Sequence, residues 1–192
     1  MTTKIPAELV SDEVFGRRNL IINGDMRIAQ RGTTSTSANY KTVDRFRNGF
    51  GGATLTQSQQ ALTSGSPYDE GFRNFLRLTQ SGSSSTATDF VQIAQRIQGR
   101  TAASSGWNYK STSSKVTISF WVRSSLAGTY YIYMNTRSGN GDGYINAPFT
   151  ISADTWTKVT HSFSGNASNI DIDDDNTTGI ELRIVPYYGT NY

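Results

Sequence analysis

Residues 115–125, KVTISFWVRSS, alternate between apolar and polar side chains with a period of two. The alternation places four large apolar side chains on one face of an extended strand: Val116, Ile118, Phe120 and Val122. The opposite face carries hydroxyl, aromatic and cationic groups: Thr117, Ser119, Trp121 and Arg123. The stretch is rich in β-branched and aromatic residues and contains neither Gly nor Pro. It predicts a central strand of an antiparallel sheet, with one face buried and the other available for function.

The composition of the chain argues against several classes of protein. At 192 residues the chain is long enough for one domain with its own core. It has no cysteine, which excludes disulfides and thiolate metal sites, and its single histidine excludes histidine-cluster metal sites. The net charge is +3 but only 17% of residues are charged, so no nucleic-acid interface is predicted. No stretch approaches the ~18 apolar residues of a membrane helix, and the N-terminus lacks a secretory signal.

The chain divides into a polar leader, residues 1–18, and one β-rich domain, residues 19–192. Within the leader, Pro6–Val10 predicts a turn of helix, and the leader is a candidate docking segment. The domain carries short alternating segments separated by Gly, Ser and Asn turns. Besides the stretch above, the predicted strands are 19–25, 43–50, 53–60, 75–80, 90–98, 129–137, 144–151, 156–164 and 179–186.

These strands predict an all-β fold, specifically an antiparallel β-sandwich. Long loops separate several strands, which favours a jelly roll over an up-and-down barrel. The segment 129–137 follows the central strand after a short turn and is predicted to pair with it. In that segment Tyr131 and Tyr133 point to the face opposite Ile132 and Met134.

Two parts of the sequence resemble known families. The segments VTISFWVRSS (116–125), GTYYIYM (128–134) and FTISADTWTKVTHSFSG (149–165) resemble jelly-roll carbohydrate-binding modules. The segments GRRNLIINGDMRIAQRGT (16–33) and YKTVDRF (40–46) resemble the receptor-binding end of bacteriophage tail fibres, especially those of marine phages. Together they cover most of residues 16–164, and both are patterns of packing and turns, not catalytic motifs.

The resemblance implies a jelly roll carried in the tail of a virion. It further implies a homotrimer that contacts other tail proteins and recognises polysaccharide on the host surface. Members of these families continue with further strands, whereas this chain stops at Tyr192. Two explanations are open: a short version of the fold, or a fragment whose last strands are missing, which would leave a sheet edge exposed.

Outward side chains on three predicted strands form the candidate glycan-binding site. Sugars present C–H faces, on which aromatic rings stack, and hydroxyls, which Arg and Gln bind. If the strands are adjacent, six residues share one patch: Gln92, Arg96, Trp121, Arg123, Tyr131 and Tyr133. The alternative is that a loop or a partner subunit covers the rings.

Trp107 and Tyr109 form a second candidate group for glycan binding. They lie in a loop rich in Gly and Ser, where large rings are harder to bury. Two interpretations are open: contact with the glycan, or anchoring of the loop against the core.

Asp171, Asp173 and Asp175 form the candidate metal site, which would hold Ca²⁺ through carboxylate oxygens. An EF-hand loop starting at Asp171 would need Gly at its sixth position and Glu at its twelfth. Those positions are Asn176 and Leu182, so the EF-hand is rejected. A calcium site of another type and a solvated acidic turn are both open.

The leading hypothesis is a tail-fibre or attachment protein that binds host glycan without catalysis. The alternative is a purely structural virion subunit, such as a tail adaptor or head decoration protein, in which the aromatic residues form interfaces. A glycosidase is the weaker alternative, because it needs two carboxyl groups flanking the sugar bond. The acids near strand ends show no spacing that singles out a pair, so no catalytic residue is predicted.

Overall fold

The computed structural model describes residues 19–52, 54–82 and 86–191. In these ranges the strands are β1 (Thr34–Ser35), β2 (Phe46–Gly51), β3 (Thr54–Ala61), β4 (Asn74–Ser81), β5 (Phe90–Gln98), β6 (Lys115–Val122), β7 (Gly128–Thr136), β8 (Gly143–Ile151), β9 (Thr157–Ser164) and β10 (Thr178–Tyr188). Two short helices, α1 (Ser66–Asp69) and α2 (Gly99–Ala103), lie between strands. No helix in the described ranges is long and apolar enough to cross a membrane.

The strands form three antiparallel sheets. The largest has five strands in the order β2-β5-β10-β7-β8, so β10 is its middle strand. A second sheet contains β1, β3 and β4, and a third pairs β6 with β9. Antiparallel sheets packed on one another make an all-β sandwich, which confirms the predicted fold class. The jelly-roll order of the strands stays a prediction.

The core lies between the five-stranded sheet and the β6–β9 pair. The four apolar side chains of β6 pack against it, as the alternation predicted. Phe120 of β6 contacts Phe149 of β8 edge to face, with ring centroids 5.6 Å apart. From β7, Ile132 and Met134 are buried in the same core, at 0% and 3% exposure. Burying a side chain such as Ile132 stabilises the fold by about 1.5–3 kcal/mol.

The predicted position and pairing of β6 are wrong. Among the described residues β6 pairs with β9 alone, with Val116 opposite Phe163, so it is not a central strand. Its predicted partner β7 instead lies between β10 and β8. Residues 123–127 therefore cross from one sheet to the other instead of closing a hairpin. The Tyr130 hydroxyl stabilises this crossing, because it donates to the Leu126 carbonyl at 2.8 Å and shares a second hydrogen bond with the Ser124 hydroxyl at 2.9 Å.

The predicted strand at residues 19–25 is also wrong, because residues 22–25 form a turn with Asn23 at a positive φ of 58°. Side chains, not a neighbouring strand, satisfy the backbone there. Gln95 bonds both the N–H and the carbonyl of Ile22, at 2.8 and 3.0 Å. The Asn-Gly turn signal at 23–24 is confirmed. The predicted helical turn in the leader lies outside the described residues.

The other predicted strands are confirmed, with small shifts at their ends. The largest shift is in β2, which was predicted to begin at Val43 and begins at Phe46. Arg45 adopts a positive φ of 74°, which is incompatible with an extended strand and delays its start. The two-residue strand β1 was not predicted.

Candidate functional site

The candidate site is the outer face, meaning the side of the five-stranded sheet that points away from the core. Strand register builds it, because residues opposite one another on paired strands share a face. Arg96 of β5 is opposite Glu181 of β10, which is opposite Asn135 of β7, which is opposite Tyr144 of β8. The neighbouring residues of β10, Ile180 and Leu182, belong to the core. These four strands therefore present one continuous polar and aromatic row.

A second row runs parallel to the first and contains two more arginines. Arg47 of β2 and Arg183 of β10 flank Ala94 of β5 from either side. Arg183 is next to Tyr133 of β7, which is next to Asn146 of β8. Ala94 is only 1% exposed although it points outward, which shows how completely the longer side chains cover the middle of the sheet.

Glu181 lies at the centre of an arginine cluster. Its carboxylate is 3.4 Å from Arg96 Nε, 3.5 Å from Arg183 Nε, 3.6 Å from Arg137 Nη2 and 3.7 Å from Arg47 Nη1. The Glu181 side chain is 0% exposed, whereas the four arginines are 20–42% exposed. The carboxylate is thus covered by guanidinium groups that themselves reach solvent.

The Glu181 carboxyl stays ionised despite its burial. Burial alone raises the pKa of a carboxyl, but the attraction of Arg183, Arg96 and Arg137 outweighs this and holds the pKa of Glu181 below its usual value. Burial alone would lower the pKa of Arg183, but the Glu181 carboxylate and the Tyr188 hydroxyl raise it. At neutral pH Glu181 and Arg183 are therefore both charged.

Several buried polar atoms in and beside this cluster make no hydrogen bonds, and those of Glu181 and Arg183 make ion pairs instead. Among residues 19–52, 54–82 and 86–191, neither Glu181 oxygen has a hydrogen-bond partner, and the same holds for Asn135 Oδ1 and Arg183 Nε. The distances to Glu181 are longer than the usual 2.7–3.2 Å range of hydrogen bonds. Buried polar atoms without hydrogen-bond partners are uncommon, and for Glu181 the attraction of the four arginines takes the place of hydrogen bonds.

A row of tyrosines adjoins the arginine cluster. Tyr131 and Tyr133 lie with ring centroids 6.1 Å apart, and Tyr133 and Tyr188 are 5.7 Å apart. The Tyr188 hydroxyl donates to Gln92 Oε1 at 2.9 Å, which fixes both side chains. Tyr131 is 41% exposed, and Tyr144 on the neighbouring strand is 57% exposed. The rings are thus held in place by their neighbours yet open to solvent.

A β-bulge puts Tyr188 on the outer face. Between Ile184 and Tyr187 the middle strand advances three residues while β5 advances two, from Ile93 to Val91. The extra residue reverses the alternation, so that Glu181 and Tyr188 point the same way although one number is odd and the other even. Tyr187 is turned towards the opposite face, together with Val91.

Glycines in β2 leave room for the side chains of β5. A Cβ atom on Gly49 would lie 2.8 Å from Gln92 Nε2, and one on Gly51 would lie 3.0 Å from Phe90 Cε1. The contact at Gly49 is closer than real Cβ atoms show, and the contact at Gly51 is tighter than most, so a side chain at either position would force Gln92 or Phe90 to shift. The glycines thereby support the Gln92–Tyr188 hydrogen bond.

At one end, the outer face opens into a polar groove of about 600 Å³. The groove lies between Arg96 and Arg137 on one side and the acidic loop, residues 171–176, on the other. Asp142 pairs with Arg137 there at 2.8 Å. Asp173 and Asp175 line the groove from the other side. Positive charge therefore dominates the middle of the face, and charges of both signs occur at this end.

Four of the predicted glycan-binding residues come together on the outer face: Gln92, Arg96, Tyr131 and Tyr133. Trp121 and Arg123 do not, because β6 belongs to another sheet. The Trp121 indole donates to Glu70 Oε2 at 3.1 Å, and Lys158 pairs with the same carboxylate at 2.8 Å. Arg123 pairs with Asp154 at 3.3 Å. The single predicted patch is thus corrected to two separate groups.

Trp107 and Tyr109 also lie away from the outer face. Trp107 is 7% exposed and belongs to the core cluster, and Tyr109 is half-buried against it. The Tyr109 hydroxyl donates to the Ile172 carbonyl at 3.0 Å. The two rings contact each other with centroids 6.2 Å apart. Their loop is thus anchored against the core, the second of the two interpretations.

The three predicted metal-binding carboxylates accept hydrogen bonds from different donors and do not converge on one point. Asp171 accepts from Lys110, Ser138 and Asn140, which lowers its pKa from 3.8 to about 2. Asp173 accepts from the Gly139 N–H at 2.7 Å, and Asp175 accepts from Thr177 at 2.8 Å. In the described part of the chain, no three acidic or histidine side chains are grouped so that they could hold a metal ion.

The residues that the sequence did not single out are Arg47, Arg137, Arg183, Glu181, Tyr144 and Tyr188. A signal for two of them was present in β10, where Glu181 and Arg183 alternate with Ile180, Leu182 and Ile184. That pattern predicts outward charges on a strand whose other face is buried. Arg47, Arg137 and Tyr144 come from other parts of the chain, so their proximity depends on sheet order, and the position of Tyr188 depends on the bulge in β10.

The chain matches no protein-family model and no curated protein sequence. What the protein does is therefore inferred from the outer face and from the resemblance of its sequence segments.

Proposed function

We propose that this protein binds carbohydrate non-covalently on the outer face of the five-stranded sheet. The observation that carries the proposal is the placement of exposed tyrosine rings directly beside guanidinium and amide groups on one rigid sheet. Rings such as Tyr131 stack on the C–H faces of sugars, and groups such as Arg96 and Asn146 bond their hydroxyls. A saccharide chain is long enough to contact both parts of the face. Binding here needs no catalytic residue.

As the biological role of the chain, we infer that it is a tail-fibre or attachment protein of a bacteriophage and that it recognises polysaccharide on the host surface. This part rests on the resemblance of residues 16–33 and 40–46 to tail-fibre proteins and of residues 116–125, 128–134 and 149–165 to carbohydrate-binding modules. The same resemblance supports a homotrimer located in the virion tail. Residues 1–18 are the candidate contact with other tail proteins.

The outer face is better suited to this function than the face that carries Trp121. Trp121 is held by Glu70 and Lys158, and its ring is half-buried between them. The rings of Tyr131 and Tyr133 on the outer face contact each other, and Tyr131 is 41% exposed. A sugar could therefore stack on Tyr131 without breaking an existing ion pair.

The test is a titration of the purified full-length protein with a panel of bacterial capsular and lipopolysaccharide-derived glycans, neutral and acidic, followed by calorimetry. Tyr131→Ala and Tyr133→Ala are compared with Tyr187→Ala and Trp121→Ala. Tyr187 is a matched control, since it is as exposed as Tyr131, at 41%, but lies on the opposite face. Sedimentation analysis gives the oligomeric state of every variant.

Saturable binding that weakens in Tyr131→Ala and Tyr133→Ala but not in the two controls supports the proposal. Removing one stacked ring corresponds to ~1.5–3 kcal/mol of lost burial, or roughly 10–100-fold in affinity. Loss of binding in Trp121→Ala alone would move the site to the β6–β9 pair. No binding by a folded oligomer, or a change of oligomeric state in Tyr131→Ala, would favour the structural virion subunit instead.

A further inference from the structure

The arginine cluster points to the chemical class of the ligand. We propose that the glycan is acidic, and that an oxyanion on a sugar ring is held by Arg47 and Arg183 while the adjoining ring stacks on the tyrosine row. This inference rests on the proposed function and narrows it, since carbohydrate binding as such requires no charge on the ligand.

The first argument is the balance of charge on the outer face. Four guanidinium groups surround Glu181, and Asp142 pairs with Arg137 at the groove end. Two carboxylates therefore face four arginines. The further acids Asp173 and Asp175 lie beyond Arg137, where backbone and hydroxyl donors already occupy them. The excess of positive charge is left on the side of Arg47 and Arg183.

The second argument is position. Arg183 is opposite Tyr133 on the adjacent strand, and its guanidinium lies beside the Tyr188 hydroxyl. Arg47 approaches the same Glu181 oxygen as Arg183, so the two guanidinium groups converge next to the tyrosines. An anionic substituent bound there would leave its sugar ring over the aromatic row.

The third argument is the part played by Glu181. It is fully buried beneath the arginines, so it cannot itself reach a ligand, but it holds the guanidinium groups in place. Groups fixed in advance lose less conformational entropy on binding. The side chains of Arg47 and Arg183 are 28% and 20% exposed, and guanidinium groups make charge-assisted contacts with carboxylate, sulfate or phosphate.

The experiment compares acidic and matched neutral forms of the same polysaccharide with the wild-type protein. Each glycan that binds in the panel is treated to remove its charge: carbodiimide-mediated reduction for carboxylates, desulfation for sulfates, and dephosphorylation for phosphates. The treatment that abolishes binding identifies the oxyanion. Arg47→Gln and Arg183→Gln are titrated beside Arg123→Gln, which removes the same charge from the connection after β6, away from the outer face.

The expected result is that the panel members that bind are acidic and that removing their charge weakens binding by about 10-fold or more, as for loss of a charge-assisted hydrogen bond. Arg47→Gln and Arg183→Gln weaken it similarly, Arg123→Gln does not, and Arg183→Lys restores part of it. Equal binding of charged and neutral forms, with dependence on Tyr131 intact, would overturn the acidic ligand but keep the proposed function. Absence of binding to every member would overturn both. If an arginine variant does not fold, the treated polysaccharides still decide the question with wild-type protein.

Discussion

The outer face of the five-stranded sheet and the outer face of the β6–β9 pair differ although both belong to one sandwich. On the β6–β9 pair, hydroxyls form a cross-strand ladder, with Thr117 bonded to Ser162 at 2.7 Å and Ser119 bonded to Thr160 at 3.1 Å, and all four side chains are exposed. On the five-stranded sheet, Glu181 is completely buried on the side that points away from the core.

The difference follows from the number of neighbouring strands. β10 is the middle strand, so arginines and tyrosines from strands on both sides cover its outward residues. A two-stranded sheet has no such neighbours, and its outward side chains stay in water. A wide sheet can therefore build a second, charged layer outside the core, and that layer is what could position a ligand-binding surface.

The largest predicted effect comes from removing the central charge. Glu181→Gln keeps the shape of the side chain but leaves four guanidinium groups without their shared counter-ion. We expect the free energy of unfolding to fall by about 2–4 kcal/mol, near the range for breaking buried ion pairs and reduced because the arginines are partly exposed. Urea unfolding at neutral pH measures it.

The matched control on the other face is Glu70→Gln. Glu70 accepts a hydrogen bond from the Trp121 indole and forms an ion pair with Lys158, but this carboxylate is exposed to solvent. Removing the charge of Glu70 should therefore change the free energy of unfolding little. Equal effects of the two substitutions would contradict the difference between the faces.

The stability that Glu181 contributes should also depend on pH. Because the pKa of Glu181 is lowered on folding, this stabilisation is present above the ordinary glutamate pKa of 4.5 and is lost as the pH falls through the folded value. The gap between wild type and Glu181→Gln should therefore narrow in acid.

The β6–β9 pair also shows how far the sequence could predict the fold. The side chains of β6 that face the core could be predicted, since alternation depends only on local geometry. Its partner could not, because a short connection such as residues 123–127 serves equally well to close a hairpin or to cross between sheets. One wrong pairing then placed Trp121 beside Tyr131, whereas the two lie on different sheets.

The candidate site was predicted in part for the same reason. Tyr131, Tyr133, Gln92 and Arg96 point outward by parity, and their strands do share the five-stranded sheet. The arginine cluster could not be predicted, since it gathers groups from β2, β5, β10 and the residue that follows β7. Tyr188 required knowledge of the bulge, which reverses the parity that simple counting gives.

A second prediction concerns Gly49 of β2, which leaves room for Gln92 on the outer face. In Gly49→Ala the new Cβ would lie 2.8 Å from Gln92 Nε2 and 3.0 Å from Gln92 Cγ, so the buried Gln92 must move and release Tyr188. We expect a loss of about 1–3 kcal/mol in the free energy of unfolding, as for other overpacked sites. Weaker glycan binding should accompany it.

Gly139→Ala is the matched control, because among the residues that the structure describes its Cβ would meet only Asp173 Oδ2, at 3.7 Å, an ordinary contact. A change within about 0.5 kcal/mol is expected there. If Gly49→Ala were as well tolerated as Gly139→Ala, Gln92 would not need its position across β2, and the support that it gives to Tyr188 would be dispensable.

A third prediction concerns the pH dependence of the stabilisation by Asp171 in the acidic loop, as distinct from that by Glu181 in the arginine cluster. The pKa of Asp171 is about 2 on folding against an ordinary 3.8, so this carboxylate stabilises the fold above pH 4 and the stabilisation disappears as the pH falls through 2. Wild type should lose stability across this interval faster than Asp171→Asn, in which Lys110 has no carboxylate to pair with. Thermal unfolding midpoints measured from pH 5 to 2 test this, and parallel curves for the two proteins would contradict it.

The smallest effect is expected on the hydroxyl ladder of the β6–β9 pair. Thr117→Val removes the hydrogen bond to Ser162 but keeps the β-branched shape, and both groups can bond water instead because they are exposed. Stability should change by no more than about 0.5 kcal/mol, and affinity for the polysaccharide should not change. Calorimetric titration and urea unfolding of the same preparation check both. A clear loss of affinity in Thr117→Val would mean that ligand contacts reach the β6–β9 face, and the contrast between a binding face and a solvated one would no longer hold.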